Sequence, residues 1–196
     1  MLEFVVAVFF LLITPGPGVL TTAGIGSAFG FRAGLAFMAG LMVGGFINMM
    51  LVISGVAAAA LAVPLLRTVL LFASVGYLLF LAWRIASAGS KVGFSPAAAP
   101  LGFRNGLMLQ FINPKAYVVS TALFSGFAFL PEAPLWEVIL KLILFNMIWV
   151  PVHLIWLGMG AKLGSLDLSE KTHRAINFAM AFCLGVVALV ALVSVL

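Results

Sequence analysis

The sequence predicts an all-α integral membrane protein whose six transmembrane helices form two inverted three-helix repeats. The first observation is composition, since 65% of the 196 residues are hydrophobic and 8% are charged, whereas soluble domains carry about 25% charged residues. The second is that the apolar residues form six segments, each long enough to cross a bilayer at about 20 residues per span. The third is that the first helix of each repeat, helix 1 or helix 4, is broken at a proline motif.

The six apolar segments follow one another with short interruptions. They cover residues 2–27, 33–62, 65–88, 103–130, 135–163 and 171–195. The longest loop, about 89–102, separates repeat 1, about 1–90, from repeat 2, about 103–196. Three helices per repeat is an odd number, so the second repeat is inverted relative to the first. The whole chain, 1–196, is therefore predicted to be one transmembrane transporter domain embedded in the lipid bilayer.

Positive charge distinguishes the two sides of this predicted bundle. The first, third and fifth loops hold Arg32, Arg84, Lys91, Arg104, Lys162, Lys171 and Arg174, whereas the other side holds Arg67 and Lys141. By the positive-inside rule the odd loops are cytoplasmic, which places both termini outside. Because the basic residues are scattered rather than clustered, the net charge of +5 does not indicate a nucleic-acid partner.

The two helix breaks are the features that most strongly indicate a site. Helix 1 is interrupted by Thr14, Pro15, Gly16 and Pro17, and helix 4 by Asn113 and Pro114. In lipid, a broken helix is tolerated only where its freed backbone groups face protein or a water-filled cavity. Breaks in corresponding positions of two repeats point to a transport site near the bilayer midplane. The alternative is that proline is simply more frequent in membrane helices.

Lys115 is the most informative charge. If helix 4 begins near Arg104, Lys115 lies about 16 Å deeper at 1.5 Å per residue, near the centre of the bilayer. Charge there costs about 2.5–3.5 kcal/mol on insertion scales. A substrate carboxylate could offset that cost, and so could a structural role in which the lysine binds carbonyls at the Asn113–Pro114 break.

Further polar residues lie within the apolar segments. Asn48, Gln110 and Asn113 are candidates for substrate binding, with hydrogen bonding between helices as the alternative. His153 titrates near neutral pH and is a candidate for proton coupling, with a packed core histidine as the alternative. No metal site and no cofactor is predicted.

Two local patterns favour structural roles. Gly40-x-x-x-Gly44 allows close helix packing and permits a homodimer. Glu137 and Lys141 have the i, i+4 spacing of an ion pair and are expected at the membrane interface.

An enzyme is not predicted, because the single cysteine cannot form a dithiol and no nucleophile motif surrounds His153. A passive channel or a structural membrane subunit stays open as an alternative to a transporter.

At this point the sequence resembles the lysine exporter (LysE/RhtB) family of bacterial amino-acid exporters. The matching stretches run over nearly the whole chain. They are Thr14-Pro15-Gly16-Pro17, Gly30-Phe31-Arg32-Ala33-Gly34, Gly40, Gly76-Tyr77-Leu78 with Leu81, Phe103-Arg104-Asn105-Gly106 and Asn113-Pro114-Lys115. The stretch 81–86 with 109–111 looks more like the cysteine/O-acetylserine branch than the lysine branch. The chain departs from the family at Gly18, where relatives often have Asn or Asp.

The resemblance implies a secondary active exporter, an antiporter in the bacterial inner membrane that exchanges an amino acid or close derivative for protons. We expect alternating access around one central site between the repeats. Exposed amides at a half-helix N-terminus, with Lys115, would hold the substrate carboxylate, and unwound carbonyls near Pro15 and Gly16 would face its ammonium group. Because Gly18 has no side chain, this half of the site is expected to act through the backbone.

Overall fold

A computed structural model describes residues 1–55, 57, 59, 62–87, 99–166 and 168–193, without the side chains of 67, 190 and 191. Most of the predicted loop 89–102, including Lys91, lies outside the described residues. So does the side chain of Arg67, which entered the count of charges on the two sides.

Within the described residues every regular secondary-structure element is an α-helix, which confirms the predicted all-α class. The helices are α1 (Leu2–Ile13), α2 (Pro17–Phe29), α3 (Phe31–Ile53), α4 (Pro64–Ala86), α5 (Phe103–Ile112), α6 (Pro114–Gly126), α7 (Pro134–Gly164) and α8 (Glu170–Val193). Four of them begin with proline at the first position after the N-cap or one residue later, where the missing N–H would have no helical partner in any case.

Four described helices, α3, α4, α7 and α8, are long and apolar enough to cross a membrane. A fifth span results if α1 and α2, which meet at an angle of 51°, count as one bent helix. The predicted span 103–130 folds instead into α5 and α6, and non-helical residues follow Gly126. The sixth span and the two inverted repeats therefore stay predictions.

Glycines allow two helix pairs to pack in backbone contact. A Cβ built on Gly160 of α7 would lie 2.1 Å from the carbonyl oxygen of Ala23 in α2, and one on Gly164 would lie 2.0 Å from that of Ser27. We call this contact the α2–α7 seam. No side chain fits at such distances, so these positions require glycine.

A second seam joins α3 to α5 and is reciprocal. A Cβ on Gly40 would lie 2.0 Å from the Phe103 carbonyl oxygen, and one on Gly106 would lie 2.1 Å from the Phe37 carbonyl oxygen. We call it the α3–α5 seam. The predicted packing role of Gly40 and Gly44 is thereby confirmed within the chain, since Gly44 lies against the side chain of Gln110. This face is not free for a partner subunit.

The predicted ion pair of Glu137 and Lys141 forms, at 2.8 Å, but it is buried, with side-chain exposures of 11% and 3%. The Glu137 carboxylate also accepts hydrogen bonds from the N–H groups of Phe129 and Leu130. Lys141 donates to the Phe124 carbonyl at 3.3 Å. The pair thus ties the turn after α6 to α7. The pair is buried because the non-helical turn folds over the start of α7, and its expected position at the membrane interface stays a prediction.

Candidate functional site

The break in helix 1 gives α2 an N-terminus with unused donors. Gly16 is fully extended (φ −158°, ψ 177°) and provides no side chain to cap the helix. The N–H of Leu20 bonds the Gly16 carbonyl at 3.0 Å, and Pro17 has no N–H. The N–H groups of Gly18 and Val19 therefore have no acceptor within the helix, and both residues line the cavity described below.

The prolines of the same break release carbonyl groups at the end of α1. In an α-helix the carbonyl of residue i accepts from the N–H of residue i+4. Pro15 and Pro17 supply no N–H, so the carbonyls of Leu11 and Ile13 lose their helical donors. Thr14 closes the helix by donating from its N–H and its hydroxyl to the Phe10 carbonyl, at 3.3 and 2.6 Å. The break thus places unused donors beside unused acceptors.

The break at Asn113 is different because its helix start is already capped. Asn113 is extended (φ −81°, ψ 106°), and its side-chain oxygen accepts from the Lys115 N–H at 3.1 Å. Its carbonyl accepts from the Ala116 N–H at 3.0 Å. Ser74 of α4 donates a hydrogen bond to the Ile112 carbonyl. The N–H groups at the start of α6 are therefore satisfied, so this break offers no unused backbone donor comparable to those of Gly18 and Val19.

Lys115 joins the two breaks. Its Nζ donates to the Thr14 carbonyl at 2.7 Å, and its stem crosses Gly16, where a Cβ would lie 3.0 Å from Cδ and 3.2 Å from Nζ. The structural alternative had this lysine binding carbonyls at its own break, between Asn113 and Pro114. Its observed partner belongs to the other break, 101 residues away in sequence.

A cavity of about 530 Å³, including its open mouth, lies between the two breaks. Its polar lining comes from Thr14, Gln110, Asn113, Lys115, Ser120 and His153. Its apolar lining includes Leu11, Val19, Met49, Phe145 and Trp149. Among the described lining residues none is acidic, and the only fixed charge is that of Lys115.

His153 is held in one orientation inside this cavity. Its Nδ1 lies 2.9 Å from the Trp149 carbonyl oxygen, which can only accept, so Nδ1 carries the proton. The imidazole stacks on the Trp149 ring with centroids 3.7 Å apart and planes 20° apart. Its Nε2 points towards Gly18, where a Cβ would lie 3.8 Å away. His153 is 5% exposed, and its imidazole forms part of the cavity wall.

The structure brings most of the predicted site residues together. Thr14, Gly16, Pro17, Gln110, Asn113, Lys115 and His153 line the one cavity. Pro15 and Pro114 do not line it and act by setting the backbone of the two breaks. Asn48 is fully buried and lies outside the cavity lining. The binding roles of all these residues stay predictions.

Sequence reasoning missed the aromatic wall of the cavity. Phe145, Trp149 and His153 line one side of it, and both aromatic residues are buried. Their spacing of four residues places them on one face of α7, which was the available signal. Because tryptophans in a membrane protein are commonly assigned to the interface, Trp149 was not recognised as a cavity residue.

A family model described as LysE type translocator matches residues 9–195. The chain belongs to this family. The resemblance inferred from the proline motifs is therefore confirmed, and LysE type translocators are transport proteins rather than a family of enzymes.

Three curated relatives of this LysE type translocator are named cysteine/O-acetylserine efflux protein. The relative from Klebsiella pneumoniae is 32% identical over 139 residues, 67% of this chain and 67% of the relative. The relative from Escherichia coli K12 is 28% identical over 174 residues, 87% of this chain and 86% of the relative. That from Salmonella typhimurium is 33% identical, over 61% of this chain and 60% of the relative. No solved structure matches the chain.

Proposed function

We propose that the protein is a secondary active exporter that moves a small neutral amino acid, or a close derivative, out of the cytoplasm in exchange for protons. The observation that carries this proposal is the meeting of both helix breaks at one cavity, bridged by Lys115. Membership of a translocator family supports it, and so does the efflux activity named for the relatives. In this proposal the chain has six spans, with both termini outside the bacterial inner membrane.

The arrangement of donors supports recognition of a carboxylate. The unused N–H groups of Gly18 and Val19 lie at the positive end of the α2 dipole, where anions bind favourably. Lys115 lies beside them and can turn from the Thr14 carbonyl to a substrate carboxylate, which is the stronger, charge-assisted partner. The carbonyls released by Pro15 and Pro17 lie at the negative end of α1 and suit an ammonium group.

The charge of the cavity favours neutral amino acids over dibasic ones. A lysine or arginine substrate carries a second cation, and the described lining offers that cation no carboxylate while placing it near Lys115. Burying such a charge without a partner is costly. An uncharged side chain instead finds the apolar wall of Phe145, Met49 and Leu11. The efflux substrates named for the relatives, cysteine and O-acetylserine, carry uncharged side chains at neutral pH.

The two seams support a closed cytoplasmic end. In the predicted topology the α2–α7 seam and the α3–α5 seam both lie on the cytoplasmic side of the breaks. The cavity residues of α3, α6 and α7, such as Met49, Ser120 and Phe145, lie on the outer side. We assign this arrangement to an outward-facing state, with an inward-facing state reached when the seams part. A homodimer is compatible with this scheme but is not needed for the site.

A transport assay on the full chain in proteoliposomes tests the proposal. Cysteine, O-acetylserine, alanine, threonine and lysine are compared with and without a pH gradient. We expect accumulation of neutral amino acids that requires the gradient, and little of lysine. Lys115→Met should abolish it, whereas Lys171→Met, at an exposed position of α8, should not.

Three outcomes would contradict the proposal. Flux of neutral amino acids that ignores the gradient would indicate a passive channel. No flux of any of the five would leave a structural subunit as the better description. Transport by correctly inserted Lys115→Met at the wild-type rate would exclude the proposed carboxylate partner.

A further inference from the structure

We propose that Nε2 of His153 is the shared acceptor for the substrate's ammonium group and for the transported proton, so that the two bind in turn and never together. The inference rests on the proposed function and assigns its coupling to one atom.

The first step is the tautomer. Because Nδ1 donates to the Trp149 carbonyl at 2.9 Å, the neutral imidazole must carry its lone pair on Nε2. No hydrogen bond among the described residues occupies that nitrogen. The stacking of the ring on Trp149 fixes its plane, so the lone pair has one direction.

The second step is position. Nε2 lies opposite Gly18, whose unused N–H is part of the proposed carboxylate site. The ammonium group of an α-amino acid is one carbon away from its carboxylate, so a carboxylate on the Gly18 and Val19 N–H groups brings the ammonium group close to Nε2. A larger residue than glycine at position 18 would occupy this space.

The third step is charge. The lining of the described cavity contains two groups that can carry a positive charge, Lys115 and His153. Among the described residues, the helices α1, α2 and α3, which pack against α7, present no charged or titratable group to this cavity, and α6 presents Lys115, which repels an imidazolium. Beside Lys115 the cavity therefore holds one further positive charge at a time, either a proton on His153 or the ammonium group of a substrate.

The fourth step is mutual exclusion. A neutral Nε2 has one lone pair and accepts one hydrogen bond, which in this proposal comes from the substrate ammonium. Once protonated it becomes a donor and carries a positive charge, so it can no longer accept from the ammonium and repels it. In the outward-facing state a proton from outside takes the lone pair as the ammonium leaves. In the inward-facing state the imidazolium releases this proton to the cytoplasm and a new ammonium takes its place, which gives one proton in for one amino acid out.

The test uses the full chain in proteoliposomes with two probes, reduced L-cysteine and 3-mercaptopropionate, which lacks only the ammonium group. In the wild type we expect the apparent affinity for cysteine to fall as pH is lowered, approaching tenfold per pH unit, the limit for one proton competing with one ligand. The affinity for 3-mercaptopropionate should not fall in this way while its carboxylate stays ionised. His153→Gln keeps an accepting oxygen but cannot titrate.

For His153→Gln we expect cysteine affinity without this pH dependence, intact exchange of cysteine for cysteine, and loss of uptake driven by the pH gradient. His173→Gln is the matched control, because that histidine is also buried, on α8, but does not line the cavity. Gradient-driven uptake by His153→Gln at the wild-type level would overturn the shared acceptor and leave the exporter intact. Equal pH dependence for the two probes would also overturn it. A wild type that moves none of the five amino acids above would overturn the exporter itself.

Discussion

Replacing Gly160 by alanine should force α2 and α7 apart and destabilise the protein. The alanine Cβ would lie 2.1 Å from the Ala23 carbonyl oxygen, and ordinary contact begins at 3.4 Å. The helices must therefore separate by about 1.3 Å, because the obstacle is backbone and cannot rotate away. Overpacking of this kind costs about 1–3 kcal/mol.

Gly76→Ala in α4 is the matched control. Nothing lies within 4 Å of a Cβ built there, so the same chemical change meets no obstacle. Alanine in a helix interior is favoured over glycine by about 0.5–1 kcal/mol. The two variants should therefore shift stability in opposite directions, although both add one methyl group to a membrane helix.

Thermal unfolding of the purified proteins in one detergent measures this difference. At about 2–4 °C per kcal/mol for a chain of this length, Gly160→Ala should lower the apparent melting temperature by several degrees, and Gly76→Ala should keep or raise it. Gly106→Ala probes the α3–α5 seam, where the Phe37 carbonyl oxygen lies 2.1 Å from the added Cβ, and should behave like Gly160→Ala. A Gly160→Ala protein as stable as Gly76→Ala would refute the backbone contact on which the seam rests.

Two further substitutions test other contacts of the structure. Gly16→Ala adds a Cβ 3.0 Å from the Lys115 stem at an extended φ that alanine adopts freely, so the protein should stay folded while the Lys115–Thr14 hydrogen bond weakens. The affinity for cysteine should change by up to about tenfold. An unchanged affinity would mean that this hydrogen bond does not contribute to substrate binding. Glu137→Gln removes the charge that Lys141 faces in a buried pair and should lower the melting temperature more than Glu170→Gln, whose partner Arg174 lies 3.8 Å away in an exposed pair. Equal shifts in melting temperature would show that burial does not strengthen the Glu137–Lys141 pair.

Much of the architecture followed from local rules that a sequence displays. Pro15, Pro17 and Pro114 cannot continue a helix in the usual way, so the positions of both breaks could be predicted from residue type. The clustering of Lys115 with Gly16 and Gln110 followed less directly, from the expectation that two breaks in corresponding positions face each other.

Other features depend on contacts between distant segments, which no local pattern encodes. Gly160 and Gly164 look like any pair of small residues, and only the approach of α2 shows that a methyl group cannot fit. The spacing of Glu137 and Lys141 predicts their ion pair but not its burial, which comes from the turn at Phe129 and Leu130. For the predicted span 103–130, hydropathy alone does not show that α6 ends at Gly126.

The two breaks differ in their chemistry, and in the proposed mechanism this difference orients the substrate. If both helix starts were open, a carboxylate could bind at either, and the substrate would have two orientations related by the predicted repeat. Asn113 removes that choice by capping α6 with its own side chain, while Gly16 leaves α2 uncapped. Lys115 then reaches across to the open side rather than serving its own helix. In the proposed mechanism a substrate carboxylate therefore has one favourable position, next to Gly18, and its ammonium group is directed towards His153.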